Sequence, residues 1–496
     1  MTLAMSREPK VEPKTVKIAI LGAGMGGLGM AIQLRRAGLD SFVILEKADD
    51  IGGTWRDNVY PGSGCDVPSH LYSFSFEPKL DWSRKFALQP EIHDYQLHIT
   101  RKYGLRPFIR FNTEVADARF DEAEGIWRIR TVGGEEITAD MVVSALGQLN
   151  RPAYPKIEGI ETFAGKTFHS ARWDKDYDLT GKTVAVIGNG ASAIQFVPEI
   201  VGKVKKLSIF QRSPNWVVPK ADRPYTTTEK MLFRRFPWLV KLHRWMIYWT
   251  LERNYLAFIK GSFFSKLFEK AGLKEIETHI ADPKLREILT PDYPAGCKRV
   301  LISNDWYPAI SRPNCETITS PIERITKDAV VTRDGVSHPA DTIIFSTGFE
   351  TTTFLAPMKV AGLGGRDLND VWKEGAEAHR GVAVAGFPNF FMLYGPNTNL
   401  GHNSIIFMLE CQINYVMQAI DALKNPKVRW LDVRKKAEEE FNAELQQDMQ
   451  KTVWAAGCSS WYKNAAGRVT NNWSSFTVKY WWQMRHLDLD EYQLVG

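Results

Sequence analysis

Cysteine pairs are missing from this chain. Its five cysteines, Cys65, Cys297, Cys315, Cys411 and Cys458, are scattered, odd in number and never spaced as Cys-x-x-Cys. That pattern indicates neither a zinc ribbon nor a dithiol redox centre; no metal site is expected and a reducing cytosol is the natural setting. Long apolar runs are missing too. No stretch approaches about 18 uncharged apolar residues, so no transmembrane helix is expected. The first 16 residues are polar and charged without an apolar core segment, which argues against a secretory signal. Charge of one sign is scarce: +6 over 496 residues is too little to suggest nucleic-acid binding, though it suits phosphate-bearing ligands. There is no repeat and no low-complexity tract. Aromatics, by contrast, are plentiful, with 16 Trp, 16 Tyr and 26 Phe, which fits flat ligands and apolar ligands as well as a large core.

Two glycine-rich loops organise the chain. Val16 to Leu21 is a β-branched run entering Gly22-Ala-Gly-Met-Gly-Gly27; Leu28 to Ala37 follows with helical spacing, stops at Gly38, and Ser41 to Leu45 is a second apolar run ending at Glu46. This is a βαβ unit. The grammar recurs. Thr183 to Ile187 enters Gly188-Asn-Gly-Ala-Ser-Ala193, Ala193 to Val201 can be helical, and Lys206 to Phe210 is a strand stopping near Arg212. The expected fold is therefore α/β, with two doubly wound, Rossmann-like dinucleotide-binding domains in tandem. Trp127 to Thr131 and Ile137 to Leu146 read as strands closing the first domain, Ser346 to Phe349 ends a similar run in the second, and Arg151-Pro152 is a linker between them. Residues 221–296 differ: helix-favouring, basic and aromatic, they are expected to be a helical insertion in the second domain. A packed helical hairpin explains them simply; a surface that also helps form an apolar substrate entrance or a membrane-facing one is the other reading.

Each loop carries chemistry. Gly22 permits the tight turn, Gly24 lets the backbone approach a pyrophosphate, and Gly27 allows close helix–strand packing. The helix N-terminus offers free N–H groups to the phosphates. Glu46 stands where a carboxylate accepts from free ribose hydroxyls, which points to FAD. In the second loop Gly188, Gly190 and Ala193 take the glycine positions, and Arg212 stands where the first unit has its acid. An arginine there suits a 2′-phosphate, hence NADPH, with a solvated surface charge as the plain alternative. The flavin domain is then expected at 1–147 and 382–496, the NADP domain at 151–220 and 297–348, and a crossover segment at 349–381. Between them, Gly52-Gly53-Thr54-Trp55 offers bare backbone against a flat ring that Trp55 could cover. Asp66, beyond Tyr60-Pro61-Gly62, is either a turn former or a partly buried charge needing a cation, with Lys298 and Arg299 the favoured partners.

Residues 163–174 match Phe-x-Gly-x-x-x-His-x-x-x-Trp-(Pro/Asp) through Phe163, Gly165, His169, Trp173 and Asp174. That is the fingerprint of type I Baeyer–Villiger monooxygenases, and the chain resembles this family along nearly its whole length. Gly52, Gly53, Trp55, Tyr60, Pro61, Gly62 and Asp66 also fill the family's longer flavin-loop motif, and Gly395-Pro-Asn-Thr-Asn resembles its late flavin-domain loop. Flavin-containing monooxygenases that oxidise nitrogen and sulfur share both loops but resemble a version with Tyr or Phe at the aromatic position. Trp173 followed by Asp174 favours the Baeyer–Villiger side.

The resemblance implies a cycle in which NADPH reduces FAD, reduced flavin captures dioxygen as a C4a-peroxide, and the peroxide attacks a ketone to give an ester or lactone. It assigns Arg299 to the oxyanion and peroxide, Asp66 to orienting Arg299, and Arg212 with Lys298 to the 2′-phosphate. It adds Tyr72 and Val115 to the flavin site and Ser192 and Ser213 to the nucleotide site. His169 is expected to fix the interdomain linker rather than move protons. A loop around Gly457 to Tyr462, with Trp461, is expected to close over the nicotinamide. The partners implied are a ketone and dioxygen, with no nucleic acid, in a cytoplasmic monomer or homodimer; peripheral membrane contact stays open.

Overall fold

The computed structural model describes residues 15–455, 457, 462–464 and 466–496. Two five-stranded parallel sheets dominate it. The first runs, edge to edge, Phe390–Met392, Met141–Ser144, Ile18–Leu21, Phe42–Leu45 and Ile109–Arg110. The second runs Cys315–Ile318, Lys206–Phe210, Thr183–Ile187, Thr342–Phe345 and Lys166–His169. In both, the strand that enters the glycine loop is central. Ile18–Leu21 is buried at every position, as a parallel strand covered on both faces requires. The helices Met25–Arg36 and Ala191–Ile200 follow the two loops.

The expected strand from Ile137 to Leu146 is two strands. Glu136–Ala139 pairs antiparallel with Ile126–Thr131, while Met141–Ser144 joins the first parallel sheet. The break falls at Asp140, whose carboxylate accepts from Lys17 N at 2.7 Å while Asp140 N and Met141 N donate to the Lys17 carbonyl. Apolar residues on both sides of Asp140 hid this change of sheet. Lys359–Ala361 adds to the sheet of Val115–Asp121, and Phe354, Leu355 and Met358 share a core with Ala19 and Leu21.

The insertion is helical, with long helices at Pro237–Arg253 and Phe263–His279. It is not confined to the second unit. Tyr225, Phe233, Val240, Tyr255 and Phe258 pack into the core around Ile18 and Ile20, whereas Ile276, Ile280 and Leu289 pack with Val184 and Ile209 of the second. Its aromatic first half thus bridges the units. Among the described residues Cys65, Cys315 and Cys411 are free, whereas Cys297 is disulfide-bonded. No described helix is long and apolar enough to cross a membrane.

Candidate active site

The first loop is shaped by what a side chain would hit. Gly22 has φ +99°, and a Cβ there would lie 2.9 Å from the Ala145 carbonyl oxygen. A Cβ on Gly27 would lie 1.9 Å from the Gly22 carbonyl oxygen, so only glycine lets the helix start this close to its strand. Gly24 caps the helix without a side-chain hydrogen bond, and no acid occupies the first turn. Across from it stands Gly53, at φ +52°, whose Cβ would sit 3.3 Å from Gly24 Cα. Two stretches of bare backbone thus face each other beside a helix N-terminus whose N–H groups are free for an anion.

Glu46 is buried and ties the loop together. Its Oε2 accepts from Ala23 N at 2.8 Å, and its Oε1 accepts from Ala48 N at 3.0 Å and from Arg56 Nη1 at 3.1 Å. A carboxylate has about four acceptor positions, so one is left for a hydroxyl. Arg56 was not foreseen; it follows Trp55 and also pairs with Asp57 at 2.8 Å. Thr54 opens the short helix Thr54–Asp57. Trp55 is buried and donates from Nε1 to Tyr72 Oη at 3.0 Å, the rings meeting edge to face. Val115 begins the strand after Thr113, whose N–H donates to the Glu46 carbonyl.

Asp66 and Arg299 meet at 3.1 Å, their side chains 13% and 42% exposed respectively. The carboxylate is enclosed while the guanidinium faces open space. Lys220 is a second cation, its Nζ 4.0 Å from the other Asp66 oxygen. Val217–Val218 pairs in parallel with Leu301–Ile302, which sets side by side the two segments that carry Lys220 and Arg299. Lys298, the other expected partner, does not turn to Asp66; it donates to Ser213 Oγ at 2.6 Å and lies 4.4 Å over the Tyr293 ring.

The Asp66 loop also touches the second unit. Gly62, at φ +74°, approaches so closely that a Cβ would lie 2.6 Å from the Gln195 carbonyl oxygen. The Gln195 amide donates to the Gly64 carbonyl at 3.0 Å and to Asp66 Oδ1 at 3.5 Å, while its carbonyl accepts from Tyr60 Oη at 2.9 Å. Gln195 lies one turn into the helix after the second glycine loop, beyond Ser192. Arg172 adds another tie, 3.6 Å from Asp57.

The second loop repeats the first with a different end. Gly188 has φ +101°, and a Cβ would lie 2.4 Å from the Ser346 carbonyl oxygen; Gly190 would meet nothing within 4 Å. The helix again starts without a side-chain cap or an acid, and Ala193 is fully buried. Asn189 donates to Gln211 and to the Ser213 carbonyl, fixing the turn after the strand. Arg212 is exposed and makes no ion pair among the described residues. Burial pushes the Lys298 ammonium down, with Asp292 opposing and Arg212 adding to the shift. Two neighbouring cations suit an anion of more than one charge.

The fingerprint forms the edge of the second sheet. A Cβ on Gly165 would lie 2.3 Å from the Asp341 carbonyl oxygen. His169 is fully buried, its Nδ1 accepts from Ala171 N at 3.1 Å, and burial holds it down at about 4. It stays neutral near pH 7. Phe163 packs near Ile325, Trp173 stacks edge-on against Phe168 and also meets Phe196, and Asp174 pairs with Lys166 at 2.6 Å. None of these contacts reaches Asp66 or Arg299. Of the expected closing loop, Trp461 lies outside the described residues; Tyr462 is buried.

A family model described as pyridine nucleotide-disulphide oxidoreductase matches residues 19–231, which hold both glycine loops. A Pseudomonas aeruginosa protein named Baeyer-Villiger monooxygenase is 45% identical over 99% of this chain and 94% of its own. A Streptomyces coelicolor protein of the same name is 46% identical over 97% of this chain and 93% of its own. Among solved structures, closed cyclohexanone monooxygenase matches with a TM-score of 0.88 and 27% identity, covering 98% of this chain and all 100% of its own. Oxidized steroid monooxygenase bound to NADP matches with a TM-score of 0.85 and 27% identity over 97% of this chain and 100% of its own. Sequence identity at this level over the full length is decisive: the chain belongs to the Baeyer–Villiger monooxygenase family.

Proposed function

We propose that this protein uses NADPH, FAD and dioxygen to insert one oxygen atom beside a ketone carbonyl, releasing an ester or lactone. The single observation that carries this reading is the enclosed Asp66 carboxylate holding an open-facing Arg299, beside the contact between the two loop units. The residues present fit both cofactors. The Gly24 and Gly53 backbones with the uncapped first helix suit a flavin dinucleotide, and Arg212 with Lys298 suits the 2′-phosphate of NADPH. A related structure is described as complexed with FAD and NADP. The flavin domain is assigned to 1–147 and 382–496, and the NADP domain to 151–220 and 297–348, with 221–296 inserted and 349–381 crossing between them.

When bound, the cofactors supply the hydride and the activated oxygen. The chain supplies position and field. Arg299 is permanently charged, so it can face an oxyanion growing on the ketone oxygen without giving up a proton. Asp66 fixes its direction, and Gln195 with Lys220 fixes Asp66. Trp55, held by Tyr72, walls the site against water. His169 is neutral and buried at the sheet edge, where it holds the linker. The ketone and dioxygen act as substrates. Arg299→Ala should still consume NADPH but release hydrogen peroxide, with ester formation down at least about 100-fold. Ester at the normal rate from this variant would overturn the assignment.

A further inference from the structure

The insertion helix Pro237–Arg253 has two apolar faces. One is used: Val240 and Ile247 are buried, and Arg244 on that side donates to the carbonyls of His70 and Ser73 at 2.7 Å each. The other carries Trp238, Leu242, Trp245 and Trp249, spaced i, i+4, i+7 and i+11, so they form one stripe. All four are exposed, Trp238 and Trp245 at 59% each. The C-terminal helix Thr477–Gln483 is fastened to this one by Tyr248 Oη on Thr477 and by Val478 N donating to Glu252. That helix presents Trp482 at 68% exposure and Trp481, with Arg485 stacked over both rings. Single exposed apolar residues are ordinary, but five exposed tryptophans on two joined helices are not.

Charge says what covers them. Residues 230–274 hold ten Lys or Arg and two acids. Glu252 is buried and Glu269 accepts from Ala295 N, so neither offsets the surface. Lys241 sits three residues after Trp238 and four before Trp245; Arg253 sits four after Trp249. Arg235, Lys241 and Arg253 are exposed and make no ion pair among the described residues. Two copies meeting through this face would bring like charges together, whereas an anionic surface would neutralise them. Tryptophan suits the boundary between headgroups and acyl chains because its ring is apolar and its N–H polar.

We infer that this face docks on an anionic lipid membrane, the helix lying in the surface plane with its tryptophans in the headgroup boundary and its basic rim on the lipid phosphates. This stands independently of the reaction proposed above. The flavin-loaded, full-length protein should pellet at least about tenfold more with vesicles of phosphatidylcholine mixed with phosphatidylglycerol than with phosphatidylcholine alone, and less as salt rises. Its tryptophan emission should shift to the blue as the anionic vesicles are added. The combined variant Trp238→Gln, Trp245→Gln, Trp249→Gln should stop pelleting while NADPH consumption is unchanged. Arg235→Glu with Lys241→Glu should remove the preference for anionic vesicles. Failure of the wild type to pellet with either vesicle would overturn the inference. So would a dimer in solution that the tryptophan variant converts to monomer, which would hand the face to a second copy.

Discussion

The two glycine loops share a strand, a turn built on a positive-φ glycine and an uncapped helix, yet they end differently. The first is closed by its own residues. Glu46 is bonded to Ala23, Ala48 and Arg56, and Gly53 stands against Gly24. The second is open: Gly190 faces empty space, and Arg212 makes no ion pair among the described residues. The difference teaches that a shared fold element does not choose its ligand. In the function proposed above a few side chains at the end of the following strand do, one acid for a ribose with free hydroxyls and cations for a phosphorylated one. It also matches a division of labour. A cofactor held through turnover suits a closed site, and one that arrives and leaves suits an open one.

The comparison can be broken most severely at the turn. Gly27→Val puts carbons into the space where a Cβ alone would stand 1.9 Å from the Gly22 carbonyl oxygen, and should leave no folded, flavin-bound protein, as read by the flavin absorbance of the purified product. The matching change in the second loop, Gly190→Ala, meets open space and should purify with flavin intact. Next in size is the open site's cation. Arg212→Ala should raise KM for NADPH by about 10–100-fold with little change for NADH, and an equal rise for both would mean Arg212 does not read the phosphate. Smaller is the closed site's acid. Glu46→Gln keeps the shape but loses the charge that faces Ala23 N and Arg56, and should weaken flavin retention by about tenfold, measured by fluorescence on dilution.

The smallest effect belongs to His169. Its folded value is held at about 4, below the ordinary 6.5. Below about pH 6.5 the unfolded chain gains a proton that the folded chain refuses, so stability falls as pH drops from 6.5 toward 4 and levels below it. His169→Gln should remove about 1–2 kcal/mol of that acid loss, as read from urea midpoints at pH 7 and pH 4.5. An unchanged acid slope would show that His169 is not held neutral by its burial.

Local grammar made much of this legible. Both βαβ units, the turn glycines, Glu46 and Arg212 lie within short stretches where strand, loop and helix follow one another. The Asp66–Arg299 contact joins residues far apart, and composition or periodicity alone left Asp66 with two candidate partners. Lys220 and Gln195 were not legible at all. Lys220 meets Asp66 across a long separation in sequence, and Gln195 does so because Gly62 lets two units approach; neither contact leaves a periodic mark. The split at Asp140 was hidden for the opposite reason, since apolar residues on both sides of that acid read as one strand. The insertion's bridging position was hidden because apolar helix spacing tells that a face is buried, not against what.

The most direct test of the central claim is product analysis with labelled dioxygen. Linear, cyclic, aromatic and steroid ketones are offered with NADPH under oxygen-18 gas, and products are weighed by mass spectrometry. The account predicts an ester or lactone from at least one ketone, carrying a single labelled oxygen and formed in step with NADPH consumed. Ketone recovered unchanged in every case, with all the NADPH accounted for as hydrogen peroxide, would contradict it.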